Sequence, residues 1–343
     1  MNVADSARPL APSTKTAPNR PSGTRTLVTT KRTVGHPDTE AVVAALANAE
    51  HEGFWLDVEA PDNDDYQLLD KVFRFHPLTI EDVRHQNQRP KLEEYPGYAF
   101  LVLFQAELGT GEDVQFVELH VFLAKDYLVT VHNHPSPALR ALTQRLGESP
   151  ELCRGDPGFI AYLVLDEVID SMFPILERLD ERIDDLEARI VLRGDFLLAE
   201  INQFKRRVIE LRRHLGAERD VFQRLITHSL DFRSEELTLY WRDVYDHLVR
   251  QYETADSLRD LLSNATDIHI SLASNRLNNT MKALTVIASL FLPLTFLTGF
   301  YGMNFAFLTQ VLETPRLAFA VGILTMVISI AVQLYYFRRR GWI

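Results

Sequence analysis

The chain has 343 residues but a single cysteine, Cys153. One thiol cannot form an intrachain disulfide or supply the thiolate cluster of a structural zinc site. Basic residues are fewer than acidic ones, 36 against 47, which gives a formal net charge of −11; because an acidic surface repels phosphate, we expect no nucleic acid partner. The sequence begins without the apolar run of a secretory signal, and residues 1–24, rich in Pro, Ser, Thr and Arg, predict a flexible tail.

Two stretches near the C-terminus lack charged side chains altogether. No Asp, Glu, Lys or Arg occurs from residue 283 to 312 or from 317 to 337. About 20 apolar residues, each rising about 1.5 Å, cross a bilayer core of about 30 Å. We therefore predict transmembrane helices over 281–301 and 317–337. Aromatic residues typical of a membrane interface end the second one: Tyr335, Tyr336 and Trp342.

Basic residues flank both predicted spans. Arg276 and Lys282 precede the first, and Arg338, Arg339 and Arg340 follow the second. The positive-inside rule then places both termini in the cytoplasm and predicts a multi-pass protein of the cell (inner or plasma) membrane. Two helices per chain cannot enclose an aqueous path, so conduction would need a homo-oligomer with its pore on the symmetry axis.

The N-terminal half alternates between strand and helix patterns. β-branched and aromatic runs predict strands at 26–30, 54–58, 98–106, 114–123 and 127–132, with helices between them. Turn residues end each run, which is typical of a mixed α/β domain.

Proline and glycine become rare farther along the chain. No proline occurs between Pro174 and Pro293, and apolar residues recur at spacings of three and four from Leu176 to Ile190. This pattern indicates long, coiled-coil-like helices. The last of them is predicted to run from about Ser234 into the first span, about 100 Å in all, and so to link the two regions mechanically.

The connection between the spans begins Gly302-Met303-Asn304. An amide in hydrocarbon needs a partner, so Asn304 either caps the helix end or has a function. In an oligomer, one Asn304 per subunit would form a ring of amide oxygens that accepts hydrogen bonds from a hydrated cation. Because Mg²⁺ gives up water reluctantly, such a ring would suit it.

This signature, in the setting FLPLTFLTGFYGMNF, resembles that of the CorA-type magnesium/cobalt transporter family. FPILERLDERIDDLEARI, YWRDVYDH and HPLTIEDVRHQNQRPKLEEY also resemble family segments, so the resemblance covers nearly everything after about residue 50. It implies a funnel-shaped homopentamer that passes Mg²⁺, and Co²⁺ or Ni²⁺. We expect this influx to be passive, because no nucleotide site is visible and an inside-negative potential favours cation entry. The loop departs from the family pattern, since Glu313 is its only acidic residue.

The resemblance implies a selectivity ring and a pore-lining face. The ring would consist of Asn304 with Gly302 and Met303. The matching pore positions are Thr295, Leu292, Ala288, Leu284, Met281 and Asn278. Their spacings of three and four place them on one helical face, which suits a hydrophobic gate that closes by dewetting, although helix packing would use the same residue types.

The resemblance also implies regulatory Mg²⁺ sites between neighbouring subunits. The matching residues are Asp82, Asp243, Glu81, Asp166 and His247, with Asp267 as a further ring on the pore helix. Carboxylates that face each other repel unless a cation bridges them. Bound Mg²⁺ would clamp the subunits and close the pore, and its loss would favour conducting states.

The sequence bears on three alternative functions. The zinc-transporting branch of the superfamily prefers isoleucine between Gly and Asn and a glycine-rich loop, and neither is present. A membrane-anchored structural or sensor protein with a non-conducting pore would have no need of the polar residues in the first span. An enzyme is not indicated, because there is no Gly-rich phosphate loop and no His-Glu-x-x-His motif, while His132 and His134 beside Pro135 predict an exposed turn.

The predicted fold is an α+β cytoplasmic domain with long coiled-coil-like helices, followed by two C-terminal transmembrane helices. Its expected segments are a flexible tail (1–24), a mixed α/β cytoplasmic domain (25–155), a long helical stalk (156–280), a pore-lining transmembrane helix (281–301), an external loop (302–316), a second transmembrane helix (317–337) and a basic cytoplasmic tail (338–343). The expected partners are further copies of the chain, the lipid bilayer and divalent cations.

Overall fold

The computed structural model of the chain describes residues 23–86, 88–109, 114–153, 156–193, 197–227, 235–303 and 315–342. Asn304, Glu313 and nearly all of the predicted N-terminal tail lie outside the described residues. The chain divides into two compact units. The first comprises Met1–Asp185 and Ala199–Leu262, and the second comprises Leu186–Leu198 and Ser263–Ile343.

A seven-stranded mixed sheet organises the first unit, in the order β2-β1-β3-β7-β6-β5-β4. The strands are β1 (Thr24–Thr29), β2 (Thr33–Gly35), β3 (Phe54–Glu59), β4 (Lys91–Tyr95), β5 (Tyr98–Leu108), β6 (Val114–Ala124) and β7 (Tyr127–His132). Strands β3 and β7 pair in parallel, and all other neighbours are antiparallel. The five predicted strands are confirmed, and two short edge strands, β2 and β4, were not predicted.

Nine α-helices are found in the described part of the chain. They are α1 (Thr39–Ala47), α2 (Asn63–Gln67), α3 (Pro77–His85), α4 (Pro137–Glu148), α5 (Pro157–Asp170), α6 (Phe173–Ala188), α7 (Leu198–Thr227), α8 (Glu235–Tyr301) and α9 (Pro315–Arg339). A π-helical turn (Leu68–Val72) extends α2, another (Arg189–Arg193) extends α6, and a 3₁₀ turn (Pro150–Cys153) follows α4.

The apolar core of the first unit lies on one face of the sheet. Phe54, Phe100 and Phe122 are fully buried there with side chains from α1 to α3. The Phe75 ring stacks on Phe122 with their centroids 4.0 Å apart. Burying a phenylalanine side chain contributes about 2–3 kcal/mol, so this cluster fixes the positions of the helices that cover it.

Local sequence sets where α3 and α5 begin, and both helices carry predicted site residues. Pro77 and Pro157 occupy the first helical turn, where the missing N–H costs no hydrogen bond. Asp156 caps α5, since its Oδ1 accepts a hydrogen bond from the Gly158 N–H at 2.8 Å. His76 caps α3 in the same way through its Nδ1.

The end of β7 differs from the prediction of an exposed turn. His134 is exposed, but His132 is 1% exposed, so the prediction was wrong for His132. Its Nδ1 donates to the His134 carbonyl oxygen at 2.6 Å, and its Nε2 lies 3.2 Å from Asp57 Oδ1. Burial alone would lower the pKa of His132, but the charge and hydrogen bond of Asp57 outweigh it and raise the pKa. The contact with Asp57 therefore favours the protonated form of the His132 ring.

Helix α7 packs in antiparallel register against the first part of α8. Arg212 lies 2.7 Å from Asp256, and one turn farther along α7 Gly216 lies against Tyr252. Helix α7 is also tied to the sheet, because the Phe104 N–H donates to Glu218 Oε1 at 2.6 Å. Glu218 is fully buried, and its Oε2 has no hydrogen-bond partner in the described part of the chain.

The second unit contains two helical stretches that are long and apolar enough to cross a membrane. One is the C-terminal part of α8, which continues without a break through Pro293 to Tyr301, and the other is α9. Only 6% and 0% of their most apolar windows are buried. A core helix of a soluble protein would be mostly buried, so these exposed surfaces need lipid or other subunits to cover them.

Candidate divalent-cation sites

Two helices of the first unit bring together three side chains that can bind a metal ion. Asp166 and Asp170 lie one turn apart on α5, and His247 lies opposite them on α8. His247 Nδ1 is 2.9 Å from Asp170 Oδ1 and 3.5 Å from Asp166 Oδ1. One potential ligand atom from each residue lies within 4.8 Å of the other two. Ligands of a single Mg²⁺ ion, each about 2.1 Å from it, lie about 3–4 Å apart, so small side-chain movements would complete this cluster.

The electrostatics of this cluster favour a cation. Burial, followed by the charge of Asp170, raises the pKa of Asp166 to about 6, with further contributions from Asp243 and Glu167. His247 acts in the opposite direction. Oδ1 of Asp166 is buried and accepts no hydrogen bond from the described residues. A divalent cation would offset the repulsion among the carboxylates and supply the missing partner of this oxygen.

Asp243 faces the same contact between α5 and α8. Its charge contributes to the raised pKa of Asp166 and, after burial and the charge of Asp166, to the raised pKa of Tyr162. Asp243 precedes His247 by one helical turn, so α8 offers a carboxylate and an imidazole on one face. Asp166, Asp243 and His247 were predicted from sequence, and the structure adds Asp170, which sequence reasoning missed. Its spacing of four from Asp166 on a predicted helix was the signal that could have identified it.

Asp82, on α3, is already paired within its own chain. The Lys91 ammonium lies 2.7 Å from Asp82 Oδ2 and 2.9 Å from Glu93 Oε1. Burial lowers the pKa of Lys91, but the hydrogen bonds from Asp82 and Glu93 outweigh it and raise the pKa. A cation at Asp82 must therefore displace or share the carboxylate with Lys91. The predicted contact between Asp82 and Asp243 concerns neighbouring subunits and stays a prediction.

Glu81, beside Asp82, is exposed. Its carboxylate lies 3.9 Å from His85 Nδ1 and borders a surface recess of about 290 Å³ that Asp70 and Arg84 also line. The Arg84 guanidinium covers the Tyr66 ring at 4.0 Å, on the same side of the recess. Glu81 is therefore open to solvent, and the structure records no contact between it and the α5–α8 cluster among the described residues.

Five of the six predicted pore positions lie in the predicted span 281–301 of α8, and the sixth, Asn278, lies one turn before it. At about 100° per residue they fall within an arc of about 120°. All six are exposed: Asn278, Met281, Leu284, Ala288, Leu292 and Thr295. The Thr295 hydroxyl donates to the Phe291 carbonyl oxygen at 2.9 Å, so its hydrogen is already used within the helix. The face carries no charge, and Asp267, also exposed, is the nearest carboxylate on the preceding turns of α8.

Helix α8 ends immediately before the predicted selectivity ring. The Gly302 N–H donates to the Thr298 carbonyl oxygen at 2.9 Å, and the Met303 N–H donates to Phe300 at 3.2 Å. Both residues are exposed. Asn304 itself lies outside the described residues, so its role stays a prediction.

Comparisons with known proteins agree with this architecture. The model of the CorA-like Mg²⁺ transporter protein family matches residues 50–339. YfjQ of Bacillus subtilis strain 168, named as a metal ion transporter, is 35% identical over 292 residues, which cover 84% of this chain and 89% of that protein. The cobalt/magnesium transport protein CorA of Thermotoga maritima is 28% identical over 293 residues, which cover 84% and 83%.

A solved structure gives the same result for the fold. The complete CorA magnesium transporter from Methanocaldococcus jannaschii superposes with a TM-score of 0.81 over 95% of this chain and 100% of that chain, at 21% identity. It supports the α/β domain, the long helix and the two C-terminal apolar helices. With the family model matched over most of its length, the chain belongs to the CorA-like Mg²⁺ transporter family.

Proposed function

We propose that this divalent-cation transporter is a passive Mg²⁺ channel, with Co²⁺ and Ni²⁺ as further cargo, and that cytoplasmic Mg²⁺ closes it. Helix α8 carries this proposal, because one unbroken helix holds His247 of the cation cluster, Asp243 one turn before it, and also the uncharged face from Asn278 to Thr295. Relatives named as cobalt/magnesium transport proteins support the choice of cargo.

The pore would lie on the axis of a homopentamer in the cell membrane. The exposed face of α8 supports this arrangement, since a single chain leaves it uncovered. Basic residues beside both spans support cytoplasmic termini. An inside-negative potential favours entry by about 2.3 kcal/mol per charge per 100 mV, so a divalent cation needs no other energy source.

Gating would use Mg²⁺ as a bridge. A cation bound by Asp166, Asp170 and His247 would hold α5 against α8, and a second bound by Asp82 and Glu81 would reach Asp243 of a neighbouring subunit. Carboxylate oxygens fit Mg²⁺, and the His247 nitrogen also suits Co²⁺ and Ni²⁺. Removing the cation restores repulsion among the carboxylates, which would loosen α8 and favour the conducting state. Asp267 would form a further ring on the pore helix.

Transport is tested in proteoliposomes that contain a trapped Mg²⁺-sensitive dye. We expect Mg²⁺ entry into vesicles with the wild-type chain and loss of entry with Asn304→Ala, while the oligomer stays intact. Asn279→Ala is the matched control, because this asparagine lies on the opposite side of α8 from the pore face. If Mg²⁺ entry persists in Asn304→Ala, Asn304 only caps the helix and does not form a selectivity ring. Absence of entry in every variant, with internal Mg²⁺ chelated, would leave another cation or a non-conducting protein.

Gating is tested in the same vesicles by raising internal Mg²⁺. Asp170→Asn removes one ligand, so we expect influx to persist at internal Mg²⁺ concentrations roughly tenfold higher than those that close the wild-type channel, about the effect of losing 1.4 kcal/mol of binding. Asp246→Asn is the control, since Asp246 is an exposed carboxylate beside His247. Equal inhibition of Asp170→Asn and wild type would exclude this cluster from regulation.

A further inference from the structure

The C-terminal end of α9 is closed by a complete Schellman motif. Gly341 adopts φ +67°, a conformation that favours glycine. The Trp342 N–H donates to the Phe337 carbonyl oxygen at 3.0 Å, and the Gly341 N–H donates to Arg338 at 3.2 Å. The Trp342 ring also stacks on Phe337 with a centroid separation of 5.8 Å. This apolar contact usually accompanies the motif, so the turn is a defined structure that folds Trp342 back onto the helix.

Three consecutive arginines surround this turn. Arg338, Arg339 and Arg340 are all exposed, and at about 100° per residue they spread over about 200° of the helix circumference. The Arg340 guanidinium lies 5.6 Å from the centre of the Tyr336 ring. None of the three forms an ion pair with any residue that the structure describes. We name residues 335–342 the arginine collar.

Capping of the helix does not account for these charges. Basic residues near a helix C-terminus interact favourably with the helix dipole and with its unpaired carbonyl groups. Here the backbone N–H groups of the turn already satisfy the carbonyl oxygens of Tyr336, Phe337 and Arg338. The guanidinium groups are thus left available, on a chain whose formal net charge is −11.

The aromatic side chains of the collar suit a membrane interface. Tyr335 is 69% exposed, Tyr336 is 53% exposed and Trp342 is 42% exposed. Tyrosine and tryptophan concentrate at the level of lipid headgroups, because each combines an apolar ring with a polar group. Tyr335 and Tyr336 end the charge-free stretch of α9 and Trp342 follows it, so the arginines come at the depth of the phosphates when that stretch spans a bilayer.

We propose that the arginine collar binds the headgroups of anionic phospholipids in the cytoplasmic leaflet. This inference rests on the proposed membrane placement of α9. A guanidinium group donates two parallel hydrogen bonds to one phosphate, and a negatively charged leaflet attracts basic residues beside a span. Arg340 is exposed and lies over the Tyr336 ring, so a phosphate oxygen can reach its guanidinium. Three arginines attract an anionic lipid more strongly than a zwitterionic one, because only the anionic headgroup carries a net negative charge.

The test uses Trp342 as a reporter. The other two tryptophans, Trp55 and Trp241, are fully buried in the first unit, so the difference in fluorescence between wild type and Trp342→Phe isolates the collar. The full chain is reconstituted in vesicles that contain brominated phosphatidylglycerol or brominated phosphatidylcholine, each of which quenches nearby tryptophan. We expect brominated phosphatidylglycerol to quench Trp342 on the order of threefold to tenfold more strongly than brominated phosphatidylcholine. This ratio should fall at high salt.

Charge variants decide whether the collar causes the preference. In the triple variant Arg338→Gln, Arg339→Gln, Arg340→Gln, the two lipids should quench Trp342 equally. The control carries three exposed arginines of α7 changed to glutamine and has the same net charge: Arg206, Arg213 and Arg224. It should keep the wild-type preference. A preference that survives in the collar variant, or equal quenching of wild type by both lipids, would overturn the proposal.

Two further outcomes separate this proposal from the channel function. If millimolar inorganic phosphate abolishes the preference, the collar is a site for free phosphate and the lipid assignment fails. If neither lipid quenches Trp342, the membrane placement of α9 fails as well. Mg²⁺ influx is recorded in the same vesicles. A chain that conducts without a lipid preference contradicts only the collar, whereas a lipid preference without influx contradicts only the channel.

Discussion

Replacing Glu218 with glutamine should remove a pH dependence from the stability of the first unit. Complete burial raises the pKa of Glu218 from its ordinary 4.5 to about 8, against a smaller opposing effect of the hydrogen bond from the Phe104 N–H. The folded chain therefore holds a proton on Glu218 at pH 7, while the unfolded chain does not. Folding takes up this proton between pH 4.5 and 8, so stability falls as the pH rises through that range.

A neighbouring histidine limits the range in which this effect stands alone. Burial, assisted by the charge of Arg213, lowers the pKa of His214 from 6.5 to about 4. Folding then releases a proton from His214 below pH 6.5, and stability falls as the pH falls from 6.5 to 4. Above pH 6.5 only Glu218 of the two contributes. At about 1.4 kcal/mol per pH unit, its effect from pH 6.5 to 8 is about 2 kcal/mol.

The assay is thermal unfolding of the full chain in detergent at pH 6.5, 7, 7.5 and 8, at one scan rate. Glutamine keeps the acceptor for the Phe104 N–H but does not ionise. We expect the Tm of Glu218→Gln minus that of wild type to increase by about 4–8 °C across this range, since 1 kcal/mol corresponds to about 2–4 °C for a unit of this size. Glu210→Gln, at an exposed position on the same helix, should leave the wild-type pH profile unchanged. A difference that stays constant with pH would refute the reasoning, because it would mean that Glu218 is ionised in the fold.

Two other substitutions test packing and competition for a carboxylate. Gly158→Ala should lower the Tm, because a Cβ there would overlap the buried side chain of Leu237, and overpacking costs about 1–3 kcal/mol. Gly35→Ala is the control, because a Cβ there has no neighbour within 4 Å. Equal Tm values for the two variants would show that Leu237 moves aside. Lys91→Gln should lower severalfold the internal Mg²⁺ concentration that closes the channel, because it removes the ammonium that occupies Asp82. An unchanged or higher concentration in the influx assay would show that Asp82 does not bind the regulatory cation.

Local patterns predicted most of the fold. The five strands that were predicted alternate or run apolar over six to eleven residues, and each predicted strand overlaps an observed one. The absence of proline and the recurrent apolar spacing predicted a helix from about Ser234 into the first span, and α8 runs from Glu235 to Tyr301. Helix and strand periodicity depend on neighbours along the chain, so a sequence is enough to reveal them. The short strands β2 and β4 are edge strands whose pairing depends on β1 and β5, and no local signal marked them.

The candidate site was predicted only in part. Asp166 and His247 came from the resemblance to the family, and the fold brings them within 3.5 Å of each other. Asp170 joins them because it is one turn from Asp166 and because α5 packs against α8. The spacing of four from Asp166 was the one local signal for Asp170, and other acidic residues of these helices share such spacings. Its closeness to His247, 77 positions later in the chain, is a product of helix packing.

The sequence by itself determined that this chain has two membrane-compatible helices, a long helix leading into the first, and the signature of its family. Each of these features depends only on residues that are close together in the sequence, since the length of a charge-free stretch and the spacing of apolar residues involve no distant partner. Only the tertiary structure decided the state of the buried charges. His132 contacts Asp57, which lies 75 positions earlier in the chain, and Lys91 forms an ion pair with Asp82. Glu218 is buried and accepts a hydrogen bond from Phe104 in β5. Whether a titratable group is charged depends on the solvent and partners around it, and folding assembles those surroundings from distant parts of the chain.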